Sequence, residues 1–208
     1  MFNKNDYETP DNIAKAMAKL ILPTDRYILE PCAGTGQIVK ALLKVVNDDT
    51  TILANEISKE RFRKLCQINK VSAKCNDFLY VDSPHAWDLI ITNPPFDYAL
   101  EFIAKSLTLL NDKPESRLLF LMPIDTFSSQ GRANQLQELD CHISKIHIIP
   151  GRIDYLKDGV PMSKCQKEID GVPQFKNGKP VMCSGRQVSD AVFEIKKGKG
   201  ENFTFLNV

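Results

Sequence analysis

A short apolar run, a glycine turn and an amphipathic segment follow one another near the start of the chain. Residues 26–30 read as a strand, residues 31–36 contain Gly34 and Gly36, and residues 37–46 carry apolar side chains at helical spacing. A strand, a Gly-x-Gly turn and a helix in this order open a ligand crevice at the carboxyl ends of the strands in a doubly wound sheet. The unit therefore predicts an α/β fold with a Rossmann-like, mostly parallel sheet.

The same unit predicts a site for a nucleoside without phosphates. Gly34 and Gly36 would let the backbone approach a ligand, and Glu56 follows the second predicted strand at the separation where an acid reaches ribose hydroxyls. A dinucleotide site needs a third glycine where this chain has Val39, and no P-loop Gly-Lys-Ser/Thr follows. Glu30 would repel a phosphate but attract an ammonium group. S-adenosylmethionine, a nucleoside with a cationic tail, fits these requirements.

A second motif lies directly after the apolar run 87–92, which predicts a buried strand ended by prolines. It is the tetrapeptide Asn93-Pro94-Pro95-Phe96. The Asn93 side-chain oxygen and a main-chain carbonyl held by the two prolines can accept both hydrogens of a base amine, and Phe96 can stack on the ring. The alternative interpretation is an ordinary turn that ends a strand.

Together the two motifs resemble the paired signature of amino-group DNA methyltransferases, in particular the adenine-N6 branch and its small phage- or restriction-type members. The resemblance is specific at residues 29–36 and 93–96. Residues 7–10 are similar to the segment that touches the methionine end of the cofactor, and residues 76–79 to the stretch whose Asp contacts the cofactor adenine. Residues 151–155 loosely resemble a loop of small phage-type enzymes.

This resemblance implies an S-adenosylmethionine-dependent methyltransferase with a seven-stranded class I sheet that acts on an exocyclic base amine, most simply adenine N6 in DNA. The implied catalytic residues are Asn93, Pro94, Pro95 and Phe96. The implied cofactor-binding residues are Tyr7, Thr9, Pro10, Glu30, Pro31, Ala33, Gly34, Gly36, Glu56, Ile57, Asp77 and Phe78.

Asn93 leaves other acceptors open. Asp is frequent at this position in adenine enzymes, and although Asn is accepted there, glutamine-N5 and guanine-N2 methyltransferases use it too. RNA base methylation, at adenine N6 or guanine N2, and glutamine-N5 protein methylation are therefore alternatives. A further alternative is a subunit of the same fold that binds without catalysing transfer.

Residues 150–187 interrupt the alternation of strands and helices with four prolines and five glycines. A loop of that length in a compact domain is usually functional or disordered. Its basic residues outnumber its acidic ones by seven to four, and Tyr155 and Phe175 add aromatic faces. We expect this insertion to contact nucleic acid, with a solvated surface loop as the alternative. The predicted nucleic-acid-binding residues are Arg152, Lys164, Lys167, Lys176 and Lys179.

Composition agrees with one methyltransferase domain over residues 1–208, whose net charge of only +1 confines any nucleic-acid surface to part of the molecule. Six cysteines without a Cys-x-x-Cys pair, and no long apolar stretch, favour a cytoplasmic protein with neither a metal site nor a membrane span. Cys32 is either a small residue of the cofactor turn or a mild nucleophile.

Thr9, Ser58 and Asp97 are predicted to cap helices. A further helix is expected over 126–139, and a last, antiparallel strand over 188–195.

Overall fold

A seven-stranded sheet forms the centre of the protein in the computed structural model, which describes residues 7–82, 86–169, 172–183 and 188–200. Along the sheet the strands follow the order β3-β2-β1-β4-β5-β13-β6. These strands are β1 (Tyr27–Glu30), β2 (Thr51–Asn55), β3 (Ser72–Lys74), β4 (Leu89–Thr92), β5 (Arg117–Pro123), β6 (Cys141–Ile148) and β13 (Asp190–Lys197).

Strands β1 to β5 pair in parallel, whereas β13 runs antiparallel to both of its neighbours, β5 and β6. The predicted mostly parallel, doubly wound sheet is therefore confirmed, and so is the antiparallel last strand. Since β6 then runs in the same direction as β5, the carboxyl ends of six strands meet at one edge. The order reverses between β1 and β4, which is where such sheets form their ligand crevice.

Helices cover both faces of the sheet and bury its apolar residues. On one face α1 and α2 pack together over β1 and β4, with Met17, Leu42 and Ile28 fully buried. On the other face α4 and α5 cover β4 and β5 around Ile103 and Phe120. The helices are α1 (Asp11–Ala18), α2 (Gln37–Leu42), α3 (Lys59–Leu65), α4 (Ala99–Leu109) and α5 (Gln130–Glu138). Among the described residues, none of these helices has the length and hydropathy required to cross a membrane.

Two predicted helix caps are wrong. Helix α1 begins at Asp11 with Pro10 at its N-cap, and the Thr9 hydroxyl accepts a hydrogen bond from the Asn93 side chain instead. A 3₁₀ turn that starts at Phe96 precedes α4, so Asp97 lies within that turn and Tyr98 occupies the N-cap. In both places a proline sets an extended backbone and delays the helix. The predicted cap at Ser58 is confirmed, since its hydroxyl accepts a hydrogen bond from the Arg61 N–H. The helix expected over 126–139 is present as α5, but it begins at Gln130 and not at residue 126.

The insertion is more regular than its composition predicted. Its described residues form short antiparallel hairpins, and residues 158–159 and 177–178 are turns with positive φ at both positions. Asp-Gly and Asn-Gly are the preferred sequences for such two-residue turns, a signal that the sequence prediction overlooked. Two charges counted in the insertion, Asp170 and Arg186, lie outside the described residues. The hairpin strands are β7 (Leu156–Lys157), β8 (Val160–Pro161), β9 (Glu168–Ile169), β10 (Val172–Pro173), β11 (Phe175–Lys176) and β12 (Lys179–Pro180).

Buried charges hold the opposite, amino-terminal edge of the sheet. Arg117, at the start of β5, makes two parallel hydrogen bonds of 2.8 and 2.9 Å to the Asp25 carboxylate, and a third of 2.8 Å to the Leu20 carbonyl. Both side chains of this pair are almost fully buried. The arrangement ties the loop after α1 to the centre of the sheet, far from the carboxyl edge.

We expect Arg117→Met to lower the free energy of unfolding by about 3–5 kcal/mol, because it leaves the Asp25 carboxylate buried without its cation. The double variant Arg117→Met/Asp25→Asn removes that unpaired charge while keeping an oxygen for the Leu22 N–H, which Asp25 accepts at 2.7 Å. It should therefore be more stable than the single variant in urea unfolding. Equal stability of the two variants would show that the pair is not electrostatically coupled.

Candidate active site

A cavity of about 540 Å³ lies at the carboxyl edge of the sheet. Its wall comes from the segments that follow β1, β2, β3 and β4, together with the segment that precedes α1. Asn55, the last residue of β2, joins these segments: its side-chain nitrogen donates to the Pro31 carbonyl at 3.2 Å and to the Asn76 carbonyl at 2.9 Å. The cavity wall is thus assembled by contacts between parts of the chain that are distant in sequence.

The glycine turn after β1 brings backbone, and not side chains, to the cavity. Gly34 has a φ of +56°, nothing lies within 4 Å of where its Cβ would be, and its N–H donates to Glu56 Oε2 at 2.7 Å. Gly36 serves a different purpose. Its φ is +83°, and a Cβ there would lie 2.3 Å from Ile68 Cδ1, so a side chain would strike the segment after α3. Its positive φ favours glycine at this position, and Gly36 does not line the cavity.

Glu56 is fixed at the end of β2. It is buried, and its two oxygens accept hydrogen bonds from the N–H groups of Gly34, at 2.7 Å, and Ser58, at 2.8 Å. Each carboxylate oxygen has a further lone pair, so the same group can still accept a ligand hydroxyl. Asp77 lies on the adjoining wall after β3, where one of its oxygens accepts the Leu79 N–H at 3.1 Å, and Phe78 is buried beside it.

Carboxylates dominate the charge of the cavity. Glu30 is only 1% exposed, and its Oε2 has no hydrogen-bond partner among the described residues. Burial raises the pKa of the Glu30 carboxyl well above its ordinary value; a hydrogen bond from the Val39 N–H opposes the rise, and the charge of Glu56 adds to it. Glu8 is also buried and accepts a hydrogen bond from the Thr35 hydroxyl at 3.3 Å. With Arg61 as the basic residue among the described lining, the cavity suits a cation and disfavours phosphates.

Asn93 lines the cavity and is held there through the nitrogen of its carboxamide. Its nitrogen donates to the Tyr7 carbonyl at 3.3 Å and to the Thr9 hydroxyl at 3.2 Å. Its oxygen is buried and has no hydrogen-bond partner among the described residues. Buried polar atoms are normally hydrogen-bonded, so an N–H group supplied by a ligand would satisfy this oxygen.

Aromatic side chains connect the tetrapeptide to the insertion. Phe96 lines the cavity, is 8% exposed, and meets the edge of Tyr155 with ring centroids 6.3 Å apart. Tyr155 in turn packs against Tyr7 at 5.5 Å. The insertion therefore begins directly beside the residues predicted to hold the acceptor.

Most of the predicted site residues meet around this one cavity, although their contacts with a cofactor or an acceptor stay predictions. Pro10 and Gly36 lie outside the lining, and the predicted nucleic-acid residues of the insertion, Arg152, Lys164, Lys167, Lys176 and Lys179, are exposed and also outside it. The predicted residues that do line it are Tyr7, Thr9, Glu30, Pro31, Ala33, Gly34, Glu56, Ile57, Asp77, Phe78, Asn93, Pro94, Pro95 and Phe96.

Sequence reasoning missed Glu8 and two tyrosines at the mouth of the cavity. Tyr98 is 49% exposed and Tyr80 is 84% exposed, and both line the cavity. No motif distinguishes either tyrosine. Glu8 could have been suspected, because it lies within residues 7–10, but its burial depends on backbone pairing with Leu156, far along the chain.

Cys32 also lines the cavity, where burial raises the pKa of its thiol well above the ordinary value, helped by the charges of Glu56 and Glu30. A protonated thiol is a poor nucleophile, so the interpretation of Cys32 as a small residue of the turn is favoured. Within the described ranges, no group of three or more His, Cys, Asp or Glu side chains is arranged to hold a metal ion.

Comparison with known proteins identifies the fold. No protein-family model matches the chain. The type II methyltransferase M.VspI of Vibrio sp. (strain 343) is 28% identical over 116 residues, which are 49% of this chain and 28% of that protein. This chain therefore spans less than a third of that relative.

Solved structures agree over nearly the whole chain. A putative RNA methyltransferase from Pyrococcus horikoshii has a TM-score of 0.61 at 15% identity, with 93% of this chain and 88% of that chain covered. An S-adenosylmethionine-dependent O-methyltransferase from Thermotoga maritima has a TM-score of 0.58 at 17% identity, with 92% and 67% covered. TrmN from Thermus thermophilus has a TM-score of 0.56 at 14% identity, with 90% and 48% covered. The chain thus has the class I, Rossmann-like fold of S-adenosylmethionine-dependent methyltransferases, and S-adenosylmethionine is the cofactor that this fold and this acidic cavity suit.

Glu30 should make both stability and cofactor binding depend on pH. Because the pKa of Glu30 is raised on folding, burial favours the neutral form of this carboxyl in the protein without ligand. The neutral carboxyl therefore stabilises the fold at low pH, and this stabilisation is lost as pH rises through the folded pKa. Glu30→Gln cannot ionise, so its melting temperature relative to that of the wild type should increase as pH rises above the ordinary range of a glutamate pKa. Its affinity for S-adenosylmethionine, measured by calorimetry, should be lower, because an ionised Glu30 is needed to pair with an ammonium group.

The matched control is Glu138→Gln, which removes an exposed carboxylate at the end of α5. This variant should change neither the pH dependence of the melting temperature nor the affinity for S-adenosylmethionine. A difference in melting temperature between Glu30→Gln and wild type that is constant across this pH range would show that Glu30 ionises normally in the free protein.

Proposed function

We propose that this chain is an S-adenosylmethionine-dependent methyltransferase that acts on the N6 amine of adenine in DNA. The observation that carries the proposal is the unpartnered, buried oxygen of Asn93 in the wall of an acid-lined cavity, next to the ring of Phe96. An acceptor oxygen beside an aromatic face is what a flipped nucleobase with an exocyclic amine requires.

The residues of the cavity fit S-adenosylmethionine, which supplies a methyl group already activated by a sulfonium charge. Its sulfonium and ammonium groups outweigh its one carboxylate, so the ligand is a net cation and matches the carboxylates of Glu8 and Glu30. Glu56 would accept the ribose hydroxyls with its remaining lone pairs, and Asp77 would accept the adenine amine. Gly34, with its Cβ position open, leaves room beside the turn.

The acceptor side needs orientation more than acid–base chemistry. The Asn93 oxygen and the Pro94 carbonyl would accept the two hydrogens of the amine, which draws its lone pair out of conjugation with the ring. Two acceptors side by side favour an amine over a hydroxyl or a ring nitrogen. Placing the reacting groups in line is worth several kcal/mol, up to about 7–11 in well-oriented cases. The amine that has received the methyl group can release its proton to solvent, so no histidine base is required.

DNA is favoured over the other acceptors by the insertion and by the paired motifs. The insertion carries exposed lysines, and its Tyr155 touches Phe96. Basic side chains at that position would meet the phosphates on either side of a base that has left the duplex. The similarity to a type II methyltransferase agrees with a methyl-transfer reaction. No feature of the described cavity favours guanine N2, RNA or a protein glutamine over adenine in DNA, and these become outcomes of the test.

Transfer of a tritiated methyl group, offered separately to duplex DNA, RNA and protein and followed by nucleoside analysis, tests the proposal. We expect N6-methyladenine from DNA. Asn93→Ala should reduce transfer by at least about 100-fold, as the loss of an orienting group at a reacting centre does, while the affinity for S-adenosylmethionine stays near that of the wild type. The control is Asn134→Ala, at an exposed asparagine on α5.

If the tritium label appears in RNA, in protein or on guanine, the chain is a methyltransferase but its acceptor is not adenine in DNA. Cofactor binding without transfer to any of the three would favour the non-catalytic subunit. Loss of the fold in Asn93→Ala, seen in a thermal melt, would identify the tetrapeptide as a structural turn.

The role of the insertion can be tested through the salt dependence of DNA binding. Neutralising Lys164, Lys167, Lys176 and Lys179 to Gln should weaken binding. It should also flatten the plot of log affinity against log salt by up to about 0.9 for each DNA phosphate that these lysines no longer neutralise. The control set, Lys15, Lys19, Lys40 and Lys44, is also exposed but lies along α1 and α2. A slope that changes equally in both sets, or in neither, would move the DNA-binding surface away from the insertion.

A further inference from the structure

The orientation of the Asn93 carboxamide is set by a neighbouring segment of the chain. The amide nitrogen lies between the Tyr7 carbonyl and the Thr9 hydroxyl, both within 3.3 Å. A carbonyl oxygen can only accept a hydrogen bond, so the nitrogen must face it. The amide oxygen is then the atom that remains unpartnered in the wall of the cavity.

This orientation matters for an amine acceptor. The last torsion of an asparagine side chain is broad and nearly two-fold, so the residue alone does not choose between its two orientations. In the reversed orientation the amide nitrogen would face the acceptor amine, and two donors would oppose each other. A partner outside the tetrapeptide is therefore needed to hold the oxygen toward the cavity.

The segment that provides this partner, residues 7–10, is itself held on two sides. Glu8 exchanges two backbone hydrogen bonds of 3.0 Å with Leu156 in the insertion. Its carboxylate accepts the Thr35 hydroxyl of the glycine turn at 3.3 Å. Thr9 is 5% exposed, so its hydroxyl meets Asn93 in a place largely closed to water.

We propose that Thr9 is a positioning residue for the acceptor: its hydroxyl, with the Tyr7 carbonyl, holds the Asn93 carboxamide with its oxygen toward the substrate amine. This inference rests on the proposed function for its catalytic consequence. It gives Thr9 a role on the acceptor side of the cavity, besides the cofactor contact that the family resemblance implies. The insertion then has a second task, since Leu156 anchors the segment that carries Thr9.

The test compares Thr9→Val, which keeps the shape but removes the hydroxyl, with Thr9→Ser, which keeps the hydroxyl. In single-turnover transfer to DNA we expect Thr9→Val to lower the rate by roughly 10- to 100-fold, the effect of a small misplacement at a reacting centre, and Thr9→Ser to restore most of it. Calorimetric affinity for S-adenosylmethionine, measured for both variants, separates a loss of transfer from a loss of cofactor binding. In the Asn93→Ala background, Thr9→Val should have no additional effect, because Thr9 acts through Asn93.

A second measurement does not depend on activity, and its first part needs only the wild type. In the wild type, the side-chain amide hydrogens of Asn93 should exchange with water more slowly than those of the exposed Asn47, as seen by nuclear magnetic resonance. In Thr9→Val the Asn93 amide signal should shift and exchange faster.

The outcomes separate this inference from the proposed function. If Asn93→Ala is inactive but Thr9→Val has the wild-type rate, or if Thr9→Val slows transfer equally in the Asn93→Ala background, Thr9 does not position Asn93. Equal exchange of the Asn93 and Asn47 amides would overturn the inference even if transfer were absent. If the wild type transfers no methyl group to any acceptor while the Asn93 amide is protected, the proposed function fails and the structural assignment of Thr9 stands.

Discussion

The parallel direction of the strands is the constraint on which the site depends. Because β1 to β5 all run the same way, the segments that follow four of them meet at one edge. Each segment then contributes a different group: a glycine turn, Glu56, Asp77 and the tetrapeptide that starts at Asn93. Hydrogen bonds between these segments, such as those from Asn55 to the carbonyls of Pro31 and Asn76, keep the groups in register. None of the segments could form the cavity alone.

The cavity concentrates charge that a free protein does not favour. Glu8, Glu30 and Glu56 are all buried, and Glu30 lacks a partner for one oxygen among the described residues. Burying a carboxylate without a cation is costly, and the group responds with a raised pKa. The opposite edge of the sheet shows the contrasting solution, since Asp25 is just as buried but paired in two hydrogen bonds with Arg117. One edge is therefore built for stability and the other is left ready for a cationic ligand.

The parts of the fold that sequence could predict are those specified by local pattern. The glycine turn, the apolar strands and the Ser58 cap each depend on a few adjacent residues, and the structure contains them. The caps at Thr9 and Asp97 were wrong because competing tertiary and proline effects decided those positions: Asn93 engages the Thr9 hydroxyl, and a 3₁₀ turn contains Asp97.

Two omissions have different causes. The hairpins of the insertion have Asp-Gly and Asn-Gly turns and could have been predicted. The burial of Glu8 could not, because it requires pairing with Leu156, a residue far away in the chain.

The insertion combines exposed basic hairpins with a buried anchor. Two of its hairpins, β7–β8 and β11–β12, are specified by their own two-residue turns, and the basic side chains of the described insertion are exposed. Its anchor is different in kind: Ile153 and Tyr155 are buried, and Leu156 pairs with Glu8. Substitutions in the exposed hairpins should therefore change what the insertion touches without disturbing the sheet, whereas substitutions in the anchor reach Tyr7 and through its carbonyl the Asn93 amide.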